Sequence, residues 1–184
     1  SDQGFFLGDH GWYDKRFMYE ESLRMPLVLR YPREIRPESV NGDIVLDVDF
    51  AQTFLDYAGV EAPAEMQGRS FRSVLAGETP DDWQQGMYYR YWMHKSHHNV
   101  FAHYGLRTHR YKLIYYYSDA CGQAGAVDED EPRQWELFDL EADCRELNNV
   151  YDDPAYADVI RELTDELHRR QRLVGDEPHP SDAG

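Results

Sequence analysis

The pattern between residues 153 and 173 constrains the fold most. Asp153 can cap a helix whose first position is Pro154, and proline is well suited to that place because its missing N–H is an orphan there anyway. Tyr156, Val159, Ile160, Leu163 and Leu167 then recur at helical spacing, with charged residues between them. A helix that is apolar on one side only needs a layer to cover it. Upstream lie four short strand-like runs, at 86–93, 104–108, 111–117 and 135–140, with a tight hairpin corner at 107–112. The expectation is a small antiparallel sheet with the C-terminal helix lying on one face.

Before residue 80 the pattern is mixed. A short helix is expected from Lys15 to about Leu23, capped by Asp14, paired internally through Glu20 and Arg24, and stopped by Pro26. Pro26-Leu27-Val28-Leu29-Arg30-Tyr31 reads as a buried strand. Residues 48–57 read as a helix with Phe50, Phe54 and Leu55 inward, ended at Gly59. A second short helix has Phe71, Val74 and Leu75 inward and ends at Gly77. The run Glu78-Thr79-Pro80-Asp81-Asp82 is the best internal boundary. The expected division is 1–80, 81–174 as the sheet portion, and 175–184 as a loose tail. Residues 118–134 are expected to form a flexible acidic excursion.

Charge narrows the class of partner. The net charge of −16 opposes nucleic acid and anionic membranes. Of 19 basic residues only Lys15, Lys95 and Lys112 are lysines, so an anionic substrate must be held by a few local cations. No apolar run reaches the length of a spanning helix. Cys121 and Cys144 fit a disulfide or two separate thiols equally well, and lack the spacing of a zinc or thioredoxin site.

The chemistry concentrates in residues 1–22. Asp2 and Gln3 are adjacent hard oxygen donors of the kind calcium or magnesium accepts, although two oxygens fall short of the six to eight that calcium takes. Alone, such a pair also fits a solvated turn. Lys15 stands where its ammonium and free backbone N–H groups could meet one anion. His10 lies between Gly8 and Gly11. A second cluster, His94, His97, His98 and His103, is interleaved with Tyr88, Tyr89, Tyr91, Trp92 and Tyr104, and aromatic faces with polar edges suit a sugar.

The segments Asp2-Gln3-Gly4, Leu7-Gly8-Asp9-His10-Gly11, Lys15 with Tyr19-Glu20, and Pro26-Leu27-Val28 follow one another in order. Met66-Gln67-Gly68-Arg69-Ser70, Tyr104-Gly105-Leu106-Arg107-Thr108 and Trp135-Glu136-Leu137-Phe138-Asp139-Leu140 continue the series. Together they resemble the C-terminal part of formylglycine-dependent sulfatases of the alkaline phosphatase superfamily, and in particular bacterial N-acetylglucosamine-6-sulfatase-like enzymes. The resemblance implies an α/β alkaline-phosphatase-like sulfatase fold, with residues 1–80 closing the catalytic domain. It implies that Asp2 and Gln3 ligate calcium, with magnesium as the alternative metal. Lys15 would bind sulfate oxygens, with His10 lining or buttressing the pocket and His103 and His94 facing the glycan.

The same resemblance implies hydrolysis of sulfate esters on a glycosaminoglycan-like carbohydrate and a periplasmic or secreted location. The formylglycine would arise from a Cys/Ser-x-Pro-x-Arg motif, which this sequence lacks. It is therefore expected in an N-terminal catalytic portion of about 300 residues before Ser1, leaving this chain inactive alone. Two other readings stay open: a phosphate or phosphonate ester hydrolase of the same superfamily, and a non-catalytic glycan-binding module.

Overall fold

The computed structural model describes residues 3–129 and 131–182. Its elements are α1 (Glu20–Leu23), α2 (Asp47–Ala58), α3 (Arg72–Ala76), β1 (Gly86–Tyr91), β2 (His103–Thr108), β3 (Tyr111–Tyr116), β4 (Gln134–Asp139) and α4 (Ala157–Leu173). The chain forms two compact units, one of Pro26–Met87 and one that joins Gln3–Met25 to the residues from Tyr88 onward. The change between Met87 and Tyr88 follows the run 78–82 in the chain. The opening residues, however, group with the sheet.

The reason is a sheet loaded on both faces. Its order is β1-β2-β3-β4, with β2–β3 and β3–β4 antiparallel. Alternate residues point to opposite faces. On one face Tyr104, Leu106, Leu113, Tyr115 and Leu137 form a core with Leu163 and Leu167 of α4, flanked by Tyr156, Val159 and Ile160. This is the helix-on-sheet arrangement expected from residues 153–173. Asp153 accepts the Ala155 N–H at 2.9 Å, and Pro154 opens a 3-10 turn that leads into α4. Each of the two buried leucines contributes roughly 1.5–3 kcal/mol.

On the other face Ile114, Tyr116 and Phe138 pack against Met18, with Phe17, Tyr19 and Leu23 around them. Gly105 lies beneath, where an added Cβ would come within 2.7 Å of Met18 Sδ and 2.3 Å of the Leu113 carbonyl. Only glycine lets the opening segment come this close. The expected helix over 15–23 is accordingly reduced to the single turn of α1. Asp14 is buried and paired with Arg16 instead of capping, and residues 15–19 run non-helically across the sheet. Glu20 pairs with Arg107 and Lys112, not with Arg24.

The tail is pinned as far as it is described. Asp176 accepts from Arg90 at 2.6 Å, and buried Asp182 accepts from Tyr104 Oη at 2.5 Å and lies 2.9 Å from His168 Nε2. The 118–134 excursion is tied down by the Val127 N–H donated to the His94 carbonyl and by Lys95, which pairs with Glu129 and Glu131. Cys121 and Cys144 are exposed and not bonded to each other.

In the Pro26–Met87 unit, Phe71, Val74 and Trp83 form the core with Leu29, Val45, Phe50 and Leu75. Phe54 is exposed, while Asp49 and Thr53 are the buried residues of α2. Both are buried because they carry hydrogen bonds. Asp49 accepts the N–H groups of Leu46 and Arg69 at 2.9 Å each, and Thr53 Oγ1 accepts from Phe71 N at 3.0 Å. Residues 26–31 form no strand, and Val28 is 91% exposed. A strand needs a ladder partner, and none of the described residues supplies one. No helix among the described residues is long and apolar enough to cross a membrane.

Candidate active-site wall

The opening segment is a loop closed on itself. Gly4 N donates to Ser22 O at 2.9 Å, Phe6 N to Asp14 O at 2.7 Å, and Gly8 N to Trp12 O at 2.9 Å. Gly4 is required by the closure, because a Cβ there would sit 1.9 Å from the Glu21 carbonyl oxygen. The result brings Gln3 back to Lys15. The Gln3 amide nitrogen donates to the Lys15 carbonyl and, at 3.2 Å, to Ser22 Oγ. Ser22 Oγ in turn donates to the Lys15 carbonyl at 2.6 Å. Two residues expected to share a site from sequence alone therefore share one backbone knot.

These bonds bear on a hard cation. They commit the carboxamide nitrogen, so the oxygen is the atom Gln3 would offer to calcium or magnesium. Asp2 lies outside the described residues. Gln3 fits such an ion as one donor of several, and the rest must come from elsewhere. The Lys15 side chain is half-buried, and no carboxylate among the described residues pairs with its ammonium.

His10 sits on the same loop in the left-handed region, at φ 53°. Its ring stacks on Tyr19, with centroids 4.6 Å apart, and Nε2 lies 3.5 Å from Glu21 Oε2. It lines a cleft of about 230 Å³ with Phe6, Trp12, Phe17, Tyr19 and Glu136 among the walls. His10 thus lines a pocket and buttresses Tyr19 together.

Glu136 escaped the sequence reading as a site residue. It accepts the hydroxyls of Tyr19 at 2.8 Å and Tyr116 at 3.2 Å. Burial pushes its carboxyl above the usual carboxylate range, and the two hydroxyls only partly offset this. Burial also raises both phenols, and the nearby carboxylate adds to the rise. The available signal was an acid on the buried face of β4, between Gln134 and Phe138.

His103 and His94 are not at the surface. Both are fully buried. His103 Nδ1 is 2.7 Å from the Phe101 carbonyl, and its ring packs among Phe17, Tyr91 and Tyr116. Burial draws its pKa down to about 4, so the ring is neutral. His94 Nδ1 accepts the Ala102 N–H at 3.1 Å. In this structure the two rings, expected on the glycan side of the pocket, pack within the aromatic layer behind the loop.

The geometry has a counterpart among known proteins. The family model described as N-sulphoglucosamine sulphohydrolase, C-terminal, matches residues 8–173. The chain belongs to this sulfatase C-terminal family. It is 48% identical to an N-acetylglucosamine-6-O-sulfatase of Bacteroides thetaiotaomicron over 178 residues, which is 96% of this chain and 30% of that protein. A solved structure of a protein in complex with its substrate D-glucosamine-2-N,6-O-disulfate superposes with a TM-score of 0.83 at 48% identity. That match covers 94% of this chain and 33% of the other. A phosphonate monoester hydrolase from Silicibacter pomeroyi superposes at 0.75 with 27% identity, covering 92% and 33%. The sulfatase segment thus spans about a third of the length of these relatives. Its mixed α/β fold, with a four-stranded sheet and C-terminal helix, agrees with the fold expected from sequence.

Proposed function

We propose that this chain is the C-terminal portion of an enzyme that hydrolyses sulfate esters on an amino-sugar-containing carbohydrate, and that Gln3 and Lys15 form one wall of its active site. The observation that carries the proposal is the loop closure that ties the Gln3 amide to the Lys15 carbonyl. A sulfate ester gathers negative charge on oxygen as its S–O bond breaks, and a fixed ammonium stabilises that charge more in the transition state than in the ground state.

Lys15 holds a sulfate oxygen and keeps the ester oriented. Gln3, with Asp2, would hold a calcium or magnesium ion, which when bound neutralises sulfate charge as a Lewis acid. His10 and Tyr19 support the loop from the side of the cleft. The nucleophile, a formylglycine by family resemblance, and the remaining metal ligands belong to the rest of the enzyme, which acts in the periplasm or outside the cell.

The test compares turnover of the full-length protein on 6-O-sulfated glucosamine with turnover on phosphate and phosphonate esters. Dominant sulfate release supports the reading. Dominant phosphoester or phosphonate turnover replaces it with the second hydrolase reading, which the Silicibacter pomeroyi similarity favours. Binding of the sugar without turnover leaves the non-catalytic module.

A further inference from the structure

Away from this wall, three metal-ligating side chains of different types meet at the end of β3. Asp119, Cys121 and His179 each offer one donor atom, and the three atoms lie within 4.8 Å of one another. Asp119 Oδ2 is 3.5 Å from His179 Nε2. Metal–ligand bonds of about 2.0–2.3 Å at tetrahedral angles put donor atoms roughly 3.3–3.8 Å apart. One pair is already at that spacing, and closing the rest takes a side-chain movement of about 1 Å at an exposed cysteine.

The donors come from segments nearly sixty residues apart, and each segment is held independently. Cys121 donates its N–H to Asp119 Oδ1 at 2.7 Å, which turns the two donors of the loop to the same side. The His179 ring stacks on Tyr117, with centroids 5.3 Å apart and planes 18° apart. Its Nδ1 lies 2.6 Å from Ser181 Oγ. Nδ1 also accepts the Ser181 N–H at 3.2 Å, which leaves the ring proton on Nε2 facing Asp119, so a metal at Nε2 requires that proton to shift to Nδ1 and donate to the Ser181 hydroxyl. His179 N donates to Tyr104 Oη at 3.0 Å, and the Tyr104 hydroxyl donates to buried Asp182. Ligand and anchor therefore share one network. One opposing feature is the Arg133 guanidinium, 3.8 Å from Asp119 Oδ2, which competes for that oxygen.

We propose that Asp119, Cys121 and His179 form a three-ligand site for a thiophilic divalent cation such as zinc, with water in the fourth position, which staples the C-terminal segment to the loop after β3. The set is one carboxylate, one thiolate and one imidazole, a combination that calcium and magnesium disfavour and zinc or cobalt accept. Cys121 binds as the thiolate, and its proton passes to the buffer. The site is independent of the Gln3–Lys15 wall and of the sulfate-ester reading.

The experiment titrates the full-length protein with Co²⁺ and follows the thiolate-to-cobalt charge-transfer absorption in the near ultraviolet, then displaces the cobalt with Zn²⁺. The band is expected in the unsubstituted protein and in Cys144→Ser, and lost in Cys121→Ser. In His179→Gln, cobalt affinity is expected to fall at least about tenfold. Zinc is also expected to protect Cys121 from alkylation while leaving Cys144 reactive. A band that persists in Cys121→Ser, no band in the unsubstituted protein, or alkylation of Cys121 indifferent to zinc would each overturn the proposal. Alkylation is read on the unsubstituted protein and needs no variant to fold.

Discussion

Glu20 bridges two cations that sit opposite each other across the β2–β3 hairpin: its Oε1 is 2.9 Å from Lys112 Nζ and its Oε2 is 3.0 Å from Arg107 Nη2. Arg107 and Lys112 are register partners, a like-charge pair that would be unfavourable without an anion between them. The anion comes from the opening segment, so charge as well as packing holds that segment to the sheet.

This seam makes stability depend on acidity in a defined window. Burial works to raise the Glu20 carboxyl, but Arg107 and Lys112 outweigh it and hold it at about 2, against an ordinary value of 4.5. A depressed carboxyl contributes fully above the unfolded value, and its contribution is lost as pH falls from about 4.5 through 2. Urea unfolding midpoints of the full-length protein are expected to fall more steeply over that range than those of Glu20→Gln. Parallel curves for the two proteins would dismiss the seam as a stabilising contact.

Lys112 is fully buried and also lies against Glu146, whose side chain is 1% exposed. Lys112→Ala strands the Glu146 carboxylate without a cation, an error expected to cost about 3–5 kcal/mol. The double variant Lys112→Met/Glu146→Leu, measured by the same unfolding curves, is expected to recover part of the loss. Recovery stays incomplete because Glu146 Oε2 also accepts the Glu20 N–H at 2.7 Å.

Lys15→Ala in the full-length protein is expected to lower sulfate-ester turnover by at least about tenfold, the effect of removing one contact to transition-state charge. Its unfolding midpoint should barely move, since no ion pair among the described residues is lost. A rate equal to that of the unsubstituted protein would remove Lys15 from the wall.

Gly4→Ala tests the loop closure without touching a charge. The new methyl meets the backbone of Glu21 and Ser22, which have no side chain to swing away. The Gly4–Ser22 hydrogen bond is expected to break, costing about 1–3 kcal/mol in overpacking. Turnover should fall with it, because Gln3 moves off the Lys15 carbonyl. Calorimetry and kinetics on the same preparation would separate the two effects.

Much of the sheet unit was legible in the residues because two periods are written plainly there. α4 follows the spacing of Tyr156, Val159, Ile160, Leu163 and Leu167, and all four strands fall within two residues of their expected ends. Residues 15–19 misled because Lys, Arg and Met favour helices, whereas packing Met18 over Gly105 demands an extended path. The segment 26–31 misled because a strand is a property of a pair, and its partner is not among the described residues. His94 and His103 show the same limit at the side-chain level: residue type suggests a polar edge, and only the fold reveals that both are buried. Glu136 lies within the run Trp135–Leu140, yet its environment depends on two tyrosine hydroxyls contributed by separate segments.

The doubly loaded sheet also limits how this segment can vary. A substitution beneath α4 displaces strands whose other face carries Met18 and the loop of Gln3 and Lys15. Neither face can drift without consulting the other, and compensation must cross a layer one residue thick. Variation is tolerated most cheaply at the rim, where Leu7 and Tyr13 project from the loop without bearing on the strands. Substitutions are therefore expected to accumulate at this rim while the sheet stays intact.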